Sequence, residues 1–382
     1  MANRLLKTSS RRGLLVTSFL AFVLVGAEQS LYGPAFETFQ QRFTLSAASV
    51  SLTVSLHFLG SFFTILGSGL LIRRFGYPRL LALSTLIMTL GVAVIGASSS
   101  WPLVLLASFA AGLGFGVLDV GVNLLVVRSF AGRIGPVLSV LNAMFGLGAI
   151  LGPALVAVTV PDVGRAFLAV AALGVVITLL LLRLPEPTAQ QAPDPLMGVS
   201  IGRAFAFVVI YFLYVSSEVA GASWETTHLT PYFGAVQAAT FTSLYWTAIT
   251  VGRLLAAPIS AVVRPGLMVV AASVLALAAA LLTQIVPFAP YAYILLGLAF
   301  APIFPSTLAW LHETFPRRAE QMAPLALAGA TLGPVVTSPL IGTMVAGLGS
   351  DSVPLALSAL TAALLLASLL LFFARASARS SG

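Results

Sequence analysis

Long apolar stretches recur along the whole chain, and they limit its possible folds more than any other feature. Twelve of them are about 20 residues or longer, the length that a helix needs to cross roughly 30 Å of hydrocarbon. They lie at 13–36, 47–72, 79–99, 101–129, 136–160, 163–184, 201–223, 238–263, 266–285, 289–313, 320–348 and 351–375. The strands of a membrane barrel would instead alternate in polarity over about 10 residues. The sequence therefore predicts an all-α membrane protein with twelve transmembrane helices.

Positive charge is distributed unevenly among the gaps between these stretches. Sixteen of the 19 Lys and Arg residues fall at every second gap, whereas only Arg42 and Arg165 fall in the other gaps and Arg253 lies inside a stretch. Short cytoplasmic loops of membrane proteins carry such an excess of Lys and Arg. We therefore expect an even number of spans and both termini in the cytoplasm, in the plasma membrane of a bacterium.

The composition excludes several functional classes. Charged residues make up only 8% of the chain, against roughly 25% in an average soluble domain. The net charge of +8 comes from basic residues placed singly or in pairs at helix ends, so anionic lipid headgroups rather than nucleic acid are their expected neighbours. There is no cysteine, no phosphate-binding glycine loop and no paired-histidine metal motif. We expect no enzyme activity, no metal, no cofactor and a monomer.

The two halves of the chain repeat each other. The segment "AGLGFG" at 111–116 resembles "LGLAFA" at 296–301, and "GAILGP" at 148–153 resembles "GATLGP" at 329–334. The offsets of such pairs all lie between 181 and 192 residues. A consistent offset over several helix pairs indicates an internal duplication.

A segment rich in proline and polar residues separates the halves. It lies at 185–200, and Glu28 and Glu218 occupy corresponding positions on either side of it. We predict two pseudo-symmetric six-helix bundles, an N-terminal one at 1–184 and a C-terminal one at 201–382, joined by a cytoplasmic linker.

Five ionisable side chains lie deep inside the predicted spans, and Asp119 is the strongest functional candidate among them. It precedes Arg128 by nine residues, so it lies roughly 14 Å from the cytoplasmic end of its span. Asn123 follows four residues later on the same helical face. A carboxylate there can take and release protons near neutral pH, so we interpret Asp119 as a proton acceptor or a ligand of solute hydroxyls. A structural hydrogen bond to a neighbouring helix is the alternative.

The other four are Glu28, His57, Glu218 and Arg253. Glu28 and Glu218 lie at matching depth, and either one is a second titrating group or both are passive, hydrated carboxylates. We expect His57 to be a satisfied core histidine rather than a proton relay. Arg253 either extends to the cytoplasmic face or pairs with a carboxylate, and we favour pairing because the helix continues about ten residues beyond it.

Aromatic side chains crowd the predicted spans 7, 8 and 10. A sugar site needs planar apolar faces for stacking, together with amide, hydroxyl and carboxyl groups for the sugar hydroxyls. The predicted substrate-binding residues are Gln29, Asn123, Asn142, Tyr214, Tyr245, Trp246 and Phe304. We expect Trp224, Tyr232 and Trp310 at the membrane interface, where Trp and Tyr collect.

Four segments resemble a known family. They are "GVLDVGVNLLV" in span 4, "VLNAMFGLGAILGP" in span 5, "SSEVAGASWETTHLTPYFG" in span 7 and "YWTAITVGRLL" in span 8. The chain resembles the major facilitator superfamily over nearly its full length, and within it the fucose permease-like branch of sugar:proton symporters. That branch has an acidic residue followed four later by asparagine in span 4, here Asp119 and Asn123, and its acidic residue in span 1 and asparagine in span 5 match Glu28 and Asn142. The resemblance implies the major facilitator fold, and roles in proton coupling and sugar binding for Glu28 and Asp119.

Two segments depart from the family pattern or match a rival one. The loop between spans 2 and 3 usually contains Asp followed by Arg, but here "GLLIRRFG" at 69–76 has Arg73 in place of the Asp. We expect Arg73, Arg74 and Gly76 to act with Arg253 in gating or as structural charges. In addition, the pattern "GxxxGP" in span 5 is the core of a signature of drug:proton exporters, although "ALVAV" follows it instead of the usual glycine pair.

We interpret the chain as a secondary active transporter that moves a small polar solute, with a sugar as the expected class, by proton-coupled alternating access. The predicted proton-coupling residues are Asp119, Glu28 and Glu218, and a proton gradient is the expected driving force. The alternative is a proton-coupled exporter of drugs or other hydrophobic compounds. A receptor or scaffold with an inactive transporter fold is a third class, and a channel is disfavoured because the internal repeat suits alternating access better.

Overall fold

The computed structural model describes residues 2–130, 134–184, 201–316 and 319–380 of the chain. Side chains are described for 12–127, 129–130, 137–184, 205–316, 322 and 325–374. Within these ranges every regular element is a helix, which confirms the predicted all-α class. The predicted linker at 185–200 lies outside the described residues.

The first half of the described chain contains seven α-helices. They are α1 (Ala2–Ser30), α2 (Tyr32–Phe43), α3 (Ala47–Phe75), α4 (Tyr77–Ala97), α5 (Trp101–Ser129), α6 (Ile134–Thr159) and α7 (Gly164–Leu181). Helices α1 and α3 to α7 correspond to the six predicted spans of this half. Helix α2 is an additional short helix after a turn at Leu31, and it buries Tyr32, Phe36 and Phe39 against the bundle.

The second half also contains seven α-helices within the described ranges. They are α8 (Ile201–Phe233), α9 (Ala235–Ser260), α10 (Pro265–Leu282), α11 (Ala289–Phe300), α12 (Ile303–Thr314), α13 (Ala319–Leu348) and α14 (Val353–Ser380). The predicted span at 289–313 is broken between α11 and α12. Pro302 lies at this break and has no backbone N–H to continue the helical hydrogen bonds of α11.

The largest difference from the predicted spans is in α8. We expected this helix to end at residue 223, but it continues to Phe233. The added segment contains Glu225, Thr226 and His228, which lower its apolarity, yet all three side chains are buried. The helix therefore carries two ionisable groups into the protein interior that the predicted span left outside.

Eleven helical segments of the described chain are long and apolar enough to cross a membrane. The remaining predicted span corresponds to α9, which has 26 residues and is therefore about 39 Å long. Gln237, several threonines and Arg253 make α9 more polar than the other spans. The twelve predicted spans thus each correspond to a helical segment.

Residue contacts divide the chain into two compact units. The first contains Met1–Phe43 and Thr53–Ala192, and the second contains Thr44–Leu52 and Pro193–Gly382.

The repeated glycine motifs allow close helix packing in both units. A Cβ atom at Gly148 of α6 would overlap the Val23 carbonyl of α1, so these two helices approach to backbone contact. Gly152, one turn further along α6, would bring a Cβ within 2.7 Å of the Ala27 carbonyl of α1, and its equivalent Gly333 of α13 would bring one within 2.5 Å of the Phe212 carbonyl of α8. Small residues allow such close helix packing in membranes.

Candidate functional site

A buried carboxylate, a histidine and a tyrosine form a polar cluster inside the first unit. Glu28 of α1, Tyr32 of α2 and His57 of α3 are each at most 2% exposed. The Tyr32 hydroxyl donates a 2.8 Å hydrogen bond to Glu28 Oε1, and His57 Nδ1 lies 3.2 Å from the same oxygen. The imidazole therefore lies where a basic group can balance the charge of a buried carboxylate.

Helix packing sets the position of His57. A Cβ atom at Gly112 of α5 would overlap the backbone carbonyl of His57. Gly60, one turn further along α3, lies in the same way against the Phe109 carbonyl of α5. The ring of Phe115 packs edge-on against the imidazole, with 4.8 Å between ring centroids. The backbone contact and the aromatic ring together hold the imidazole beside Glu28 in a dry environment.

A second cluster surrounds Glu218 in the second unit. The Tyr214 hydroxyl donates a 2.9 Å hydrogen bond to Glu218 Oε1, and Arg253 Nη2 of α9 lies 3.4 Å from the same oxygen. The Tyr245 hydroxyl of α9 donates a 2.8 Å hydrogen bond to the backbone carbonyl of Glu218. Gly221 leaves room for that contact, since a Cβ there would lie 2.9 Å from the Tyr245 hydroxyl. Arg253 thus pairs with a carboxylate rather than extending to a membrane face.

The two clusters contain the same kinds of side chain. Glu28 and Glu218 occupy corresponding positions in the first span of each half, and each accepts a hydrogen bond from a tyrosine four residues away. Their basic partners, His57 and Arg253, come from the second span of each half. Each unit therefore holds one buried carboxylate with a tyrosine donor and a basic group.

Asp119 has a different environment from these two carboxylates. It is half-buried on α5, and its carboxylate makes no hydrogen bond or ion pair within the described part of the chain. Asn123 does share its helical face, but the Asn123 amide donates a 2.8 Å hydrogen bond to the Asp119 backbone carbonyl. The Asp119 carboxylate therefore has no structural partner among the residues that the structure describes, and its predicted role in proton or solute binding stays a prediction.

The predicted amide ligands are all at least partly accessible. Gln29 and Asn123 are half-buried, and Asn142 is exposed. The Asn142 amide nitrogen donates a 2.8 Å hydrogen bond to the Leu138 carbonyl of its own helix. These side chains have polar atoms that a solute hydroxyl could reach.

The predicted aromatic ligands are less accessible than the amides, and most of them are buried in the second unit. Tyr214, Tyr245 and Trp246 are at most 2% exposed, and the two tyrosine hydroxyls bond to Glu218. Phe304 is half-buried, and its ring lies 6.2 Å from that of Tyr214. These side chains build the wall around Glu218, and their role as substrate ligands stays a prediction.

The predicted gating loop joins α3 to α4. Arg73 and Arg74 are exposed at the end of α3, and the Arg74 guanidinium lies 5.7 Å from the Phe75 ring centroid. Gly76 has a φ of 75°, which a residue with a side chain rarely adopts, so this position requires glycine for the turn into α4.

The expected interfacial position is wrong for two of three aromatic residues. Trp224 is fully buried, and Trp310 is 2% exposed with its ring 5.5 Å from that of Phe207. Both belong to the packing of the second unit because neighbouring helices cover their rings. Tyr232 is 45% exposed, and its hydroxyl bonds to the exposed Asp351 carboxylate at 2.8 Å.

Sequence reasoning missed two ionisable residues of the second unit. Glu225 is fully buried, and His228 is buried with its Nδ1 3.1 Å from the Tyr293 hydroxyl of α11. Both lie in the part of α8 beyond residue 223. A signal was present, since Glu218, Glu225 and Tyr232 are spaced by seven residues and therefore lie on one helical face.

Comparison with known proteins agrees with this architecture. The family model of the Major Facilitator Superfamily matches residues 18–216, slightly more than half of the chain. The chain belongs to the Major Facilitator Superfamily. It is therefore a membrane transporter by family, with the two-bundle fold that such transporters share.

Curated relatives and solved structures of this superfamily are similar to the chain throughout its length. "Sodium-dependent glucose transporter 1" of Xenopus laevis is 24% identical over 360 residues, which cover 82% of this chain and 72% of that protein. The structure of the nucleoside transporter NupG (D323A mutant) aligns with a TM-score of 0.82 at 15% identity and covers 95% of this chain and 100% of NupG. The D-xylose-proton symporter aligns with a TM-score of 0.79 at 14% identity, covering 94% and 96%. FucP aligns with a TM-score of 0.67 at 17% identity, covering 94% and 98%.

Proposed function

We propose that the chain is a secondary active transporter that moves a sugar together with protons by alternating access. The observation that carries this proposal is the pair of buried carboxylates, Glu28 and Glu218, each with a tyrosine donor and a basic partner in its own unit. Intramembrane charges are costly, so such pairs mark proton and substrate pathways in transporters. When the carboxylate of such a cluster binds one proton, the net charge of the cluster changes by one unit. That change in charge can be linked to solute binding.

The relatives support a sugar as the solute. Glucose transporters are named among the curated relatives, and the D-xylose-proton symporter is among the solved structures with this fold. The name of the Xenopus laevis relative also specifies sodium dependence. Sodium is therefore the rival coupling ion. We favour protons because the proposed coupling groups are carboxylates, which can bind a proton, and because the D-xylose-proton symporter has this fold.

In this proposal the residues divide between two roles. Asp119, Glu28 and Glu218 exchange protons, whereas Gln29, Asn123 and Asn142 bind hydroxyl groups of the solute. Asp119 is the carboxylate best able to contact the solute, because it is half-buried and its side chain has no partner among the described residues. His57 and Arg253 are the basic partners of Glu28 and Glu218 when these carboxylates are ionised.

The proposal also covers the orientation of the chain in the membrane and its oligomeric state. The alternation of Lys and Arg among the loops supports both termini in the cytoplasm and a bacterial cytoplasmic membrane. We propose that the transporter works as a monomer, without a cofactor, and that the proton gradient drives it.

The replacement of Asn142 by leucine separates sugar transport from export of hydrophobic compounds. A sugar hydroxyl left without a partner costs about 1–3 kcal/mol, so Asn142→Leu should weaken sugar binding roughly tenfold or more. Uptake of a sugar series and of a lipophilic cation series is measured in proteoliposomes containing either protein. Gln237→Leu, an exposed amide on α9, is the matched control and should transport like the parent. Unchanged or tighter binding of lipophilic cations, with no sugar transport by the parent, would establish the exporter alternative.

A further inference from the structure

The second unit contains a third buried carboxylate that no partner compensates. Glu225 of α8 is 0% exposed, and neither of its oxygens has a hydrogen-bond partner within the described residues. Glu218 lies two helical turns earlier, roughly 10 Å along the axis, and Arg253 and Tyr214 already bond to it. The proposed coupling residues therefore leave Glu225 without a function.

Among the described residues, the surroundings of Glu225 contain hydroxyl groups but no positive charge. Electrostatic interactions link its carboxylate to Thr242 and Tyr245 of α9 and to Tyr293 of α11. The Thr242 hydroxyl also lies 3.0 Å from the Thr226 hydroxyl and 3.3 Å from the Ala238 carbonyl, so other acceptors compete with Glu225 for its single proton. An ionised carboxylate without a donor or a counter-charge costs several kcal/mol in such a place.

The other helices that pack against α8 add no charge near this position. Within the residues of α13 and α14 whose side chains are described (322 and 325–374), there is no Asp, Glu, Lys, Arg or His. His312 and Glu313 of α12 are exposed at the end of that helix. The titratable groups on this side of α8 are therefore Glu218 with Arg253, the two tyrosines beside Glu225, and His228 one turn further on.

Beyond Glu225, α8 carries polar side chains as far as the exposed Tyr232. His228 Nδ1 lies 3.1 Å from the Tyr293 hydroxyl, and the His228 ring lies 6.3 Å from the Tyr232 ring. Tyr232 in turn donates to Asp351, which is exposed in the turn before α14. A histidine flanked by tyrosines can pass protons between an exposed carboxylate and a buried one.

We propose that Glu225 is a proton-binding site, and that His228 and Tyr293 link it to the surface at Asp351. In the resting transporter the Glu225 carboxyl holds one proton and is neutral. When the proton leaves, the Glu225 O–H bond breaks as the Tyr293 hydroxyl accepts that proton and passes its own to His228 Nδ1, and His228 then releases one proton to solvent near Asp351. The site rests on the proposed function and deepens it, because it adds a second proton-binding position to the second unit beside the pair of Glu218 and Arg253. Its occupancy by a proton does not depend on which solute is carried.

Infrared difference spectroscopy of the purified full-length protein in lipid tests the site without any solute. We expect the spectrum at neutral pH to contain the carbonyl band of a buried protonated carboxylic acid that Glu225→Gln removes. Glu313→Gln, an exposed glutamate of the same unit, should leave that band unchanged. Loss of an ionised carboxylate band in Glu225→Gln, or a band that responds to Na⁺ rather than to pH, would overturn the proposal.

Two further variants keep the test independent of folding failure in Glu225→Gln. Glu225→Asp should keep a protonated carboxyl band at a shifted frequency. Tyr293→Phe should shift the Glu225 band and slow its exchange with deuterium several-fold, because the hydroxyl that faces His228 is gone. Unchanged exchange in Tyr293→Phe would rule out the proposed link to the surface.

A transport assay distinguishes failure of this inference from failure of the proposed function. In proteoliposomes, Glu225→Gln should retain sugar exchange within about twofold and lose roughly tenfold in proton-driven accumulation. If wild type accumulates sugar with protons and Glu225→Gln does so equally well, the inference is wrong while the proposed function stands. If wild type transports no sugar but the infrared band is present, the proposed function is wrong while the proton site stands.

Discussion

The pair formed by Arg253 and Glu218 allows a quantitative prediction about the interior of the second unit. Replacing Arg253 by methionine keeps an unbranched side chain of similar length and removes the charge. Breaking a buried pair by removing one partner costs about 3–5 kcal/mol. Two features reduce that cost: the Tyr214 hydrogen bond to Glu218 remains, and the Arg253 side chain is 24% exposed. We therefore expect Arg253→Met to destabilise the protein by about 2–3 kcal/mol.

A double-mutant cycle isolates the pair. Glu218→Gln removes the charge that Arg253→Met leaves uncompensated, so the double variant should recover roughly 2 kcal/mol relative to the sum of the single variants. Unfolding entropy scales with chain length, so for 382 residues the single-variant loss corresponds to about 3 °C in melting temperature. Thermal unfolding in detergent, followed by tryptophan fluorescence, measures these shifts.

The exposed Arg264 provides a matched control for this cycle. Arg264→Met makes the same substitution in the same unit and should change the melting temperature by less than about 1 °C, because an exposed charge contributes little to stability. If Arg253→Met melts like wild type, or if the double variant shows purely additive effects, the pair does not stabilise the buried charge of Glu218 and the reasoning about this cluster fails.

Three further variants test other parts of the account. Asp119→Asn should abolish proton-driven accumulation of sugar but leave exchange partly intact, since asparagine cannot release a proton; accumulation with an unchanged pH profile would make Asp119 structural. Gly112→Ala should reduce transport and stability, because the new Cβ would displace the backbone of His57 at a cost of about 1–3 kcal/mol. A Gly112→Ala variant that behaves like wild type would contradict the close packing of α3 on α5. Single cysteines at Ala97 and Ser380 should react with impermeant reagents from opposite sides of the membrane, in a chain that has no cysteine of its own; reaction from one side would refute the twelve-span topology.

Most of the fold could be predicted because membrane spans depend on local apolarity alone. The boundaries were predicted well where apolar residues give way to charged ones, as at the end of α3. The prediction failed at α8, because polar residues such as Glu225 and His228 lower the apolarity of a segment that tertiary packing nevertheless buries. The break before α12 was also missed, although Pro302 is visible in the sequence, because proline within a membrane helix often produces only a kink.

Individual site residues were easier to predict than their partners. Glu28, Glu218 and Arg253 stand out in the sequence because charges are rare within membrane spans. That His57 contacts Glu28 depends on the rotation of α1 and α3 about their axes and on the glycine contact at Gly112, which no local pattern reports. The burial of Trp224 likewise depends on which helices cover it. For this reason the sequence predicts a core histidine at His57 but does not name its partner, and it places Trp224 at the membrane interface instead of inside the second unit.

The most direct test of proton-coupled sugar transport is to measure proton movement when sugar is added. Purified protein is reconstituted into vesicles in sodium-free buffer without a pH gradient, and a pH-sensitive dye reports the external medium after addition of a hexose or pentose. The account predicts alkalinisation of the medium as protons enter with the sugar, abolished by an ionophore that dissipates proton gradients and absent in Asp119→Asn. Sugar uptake that leaves the external pH unchanged, or that requires added Na⁺, would contradict it.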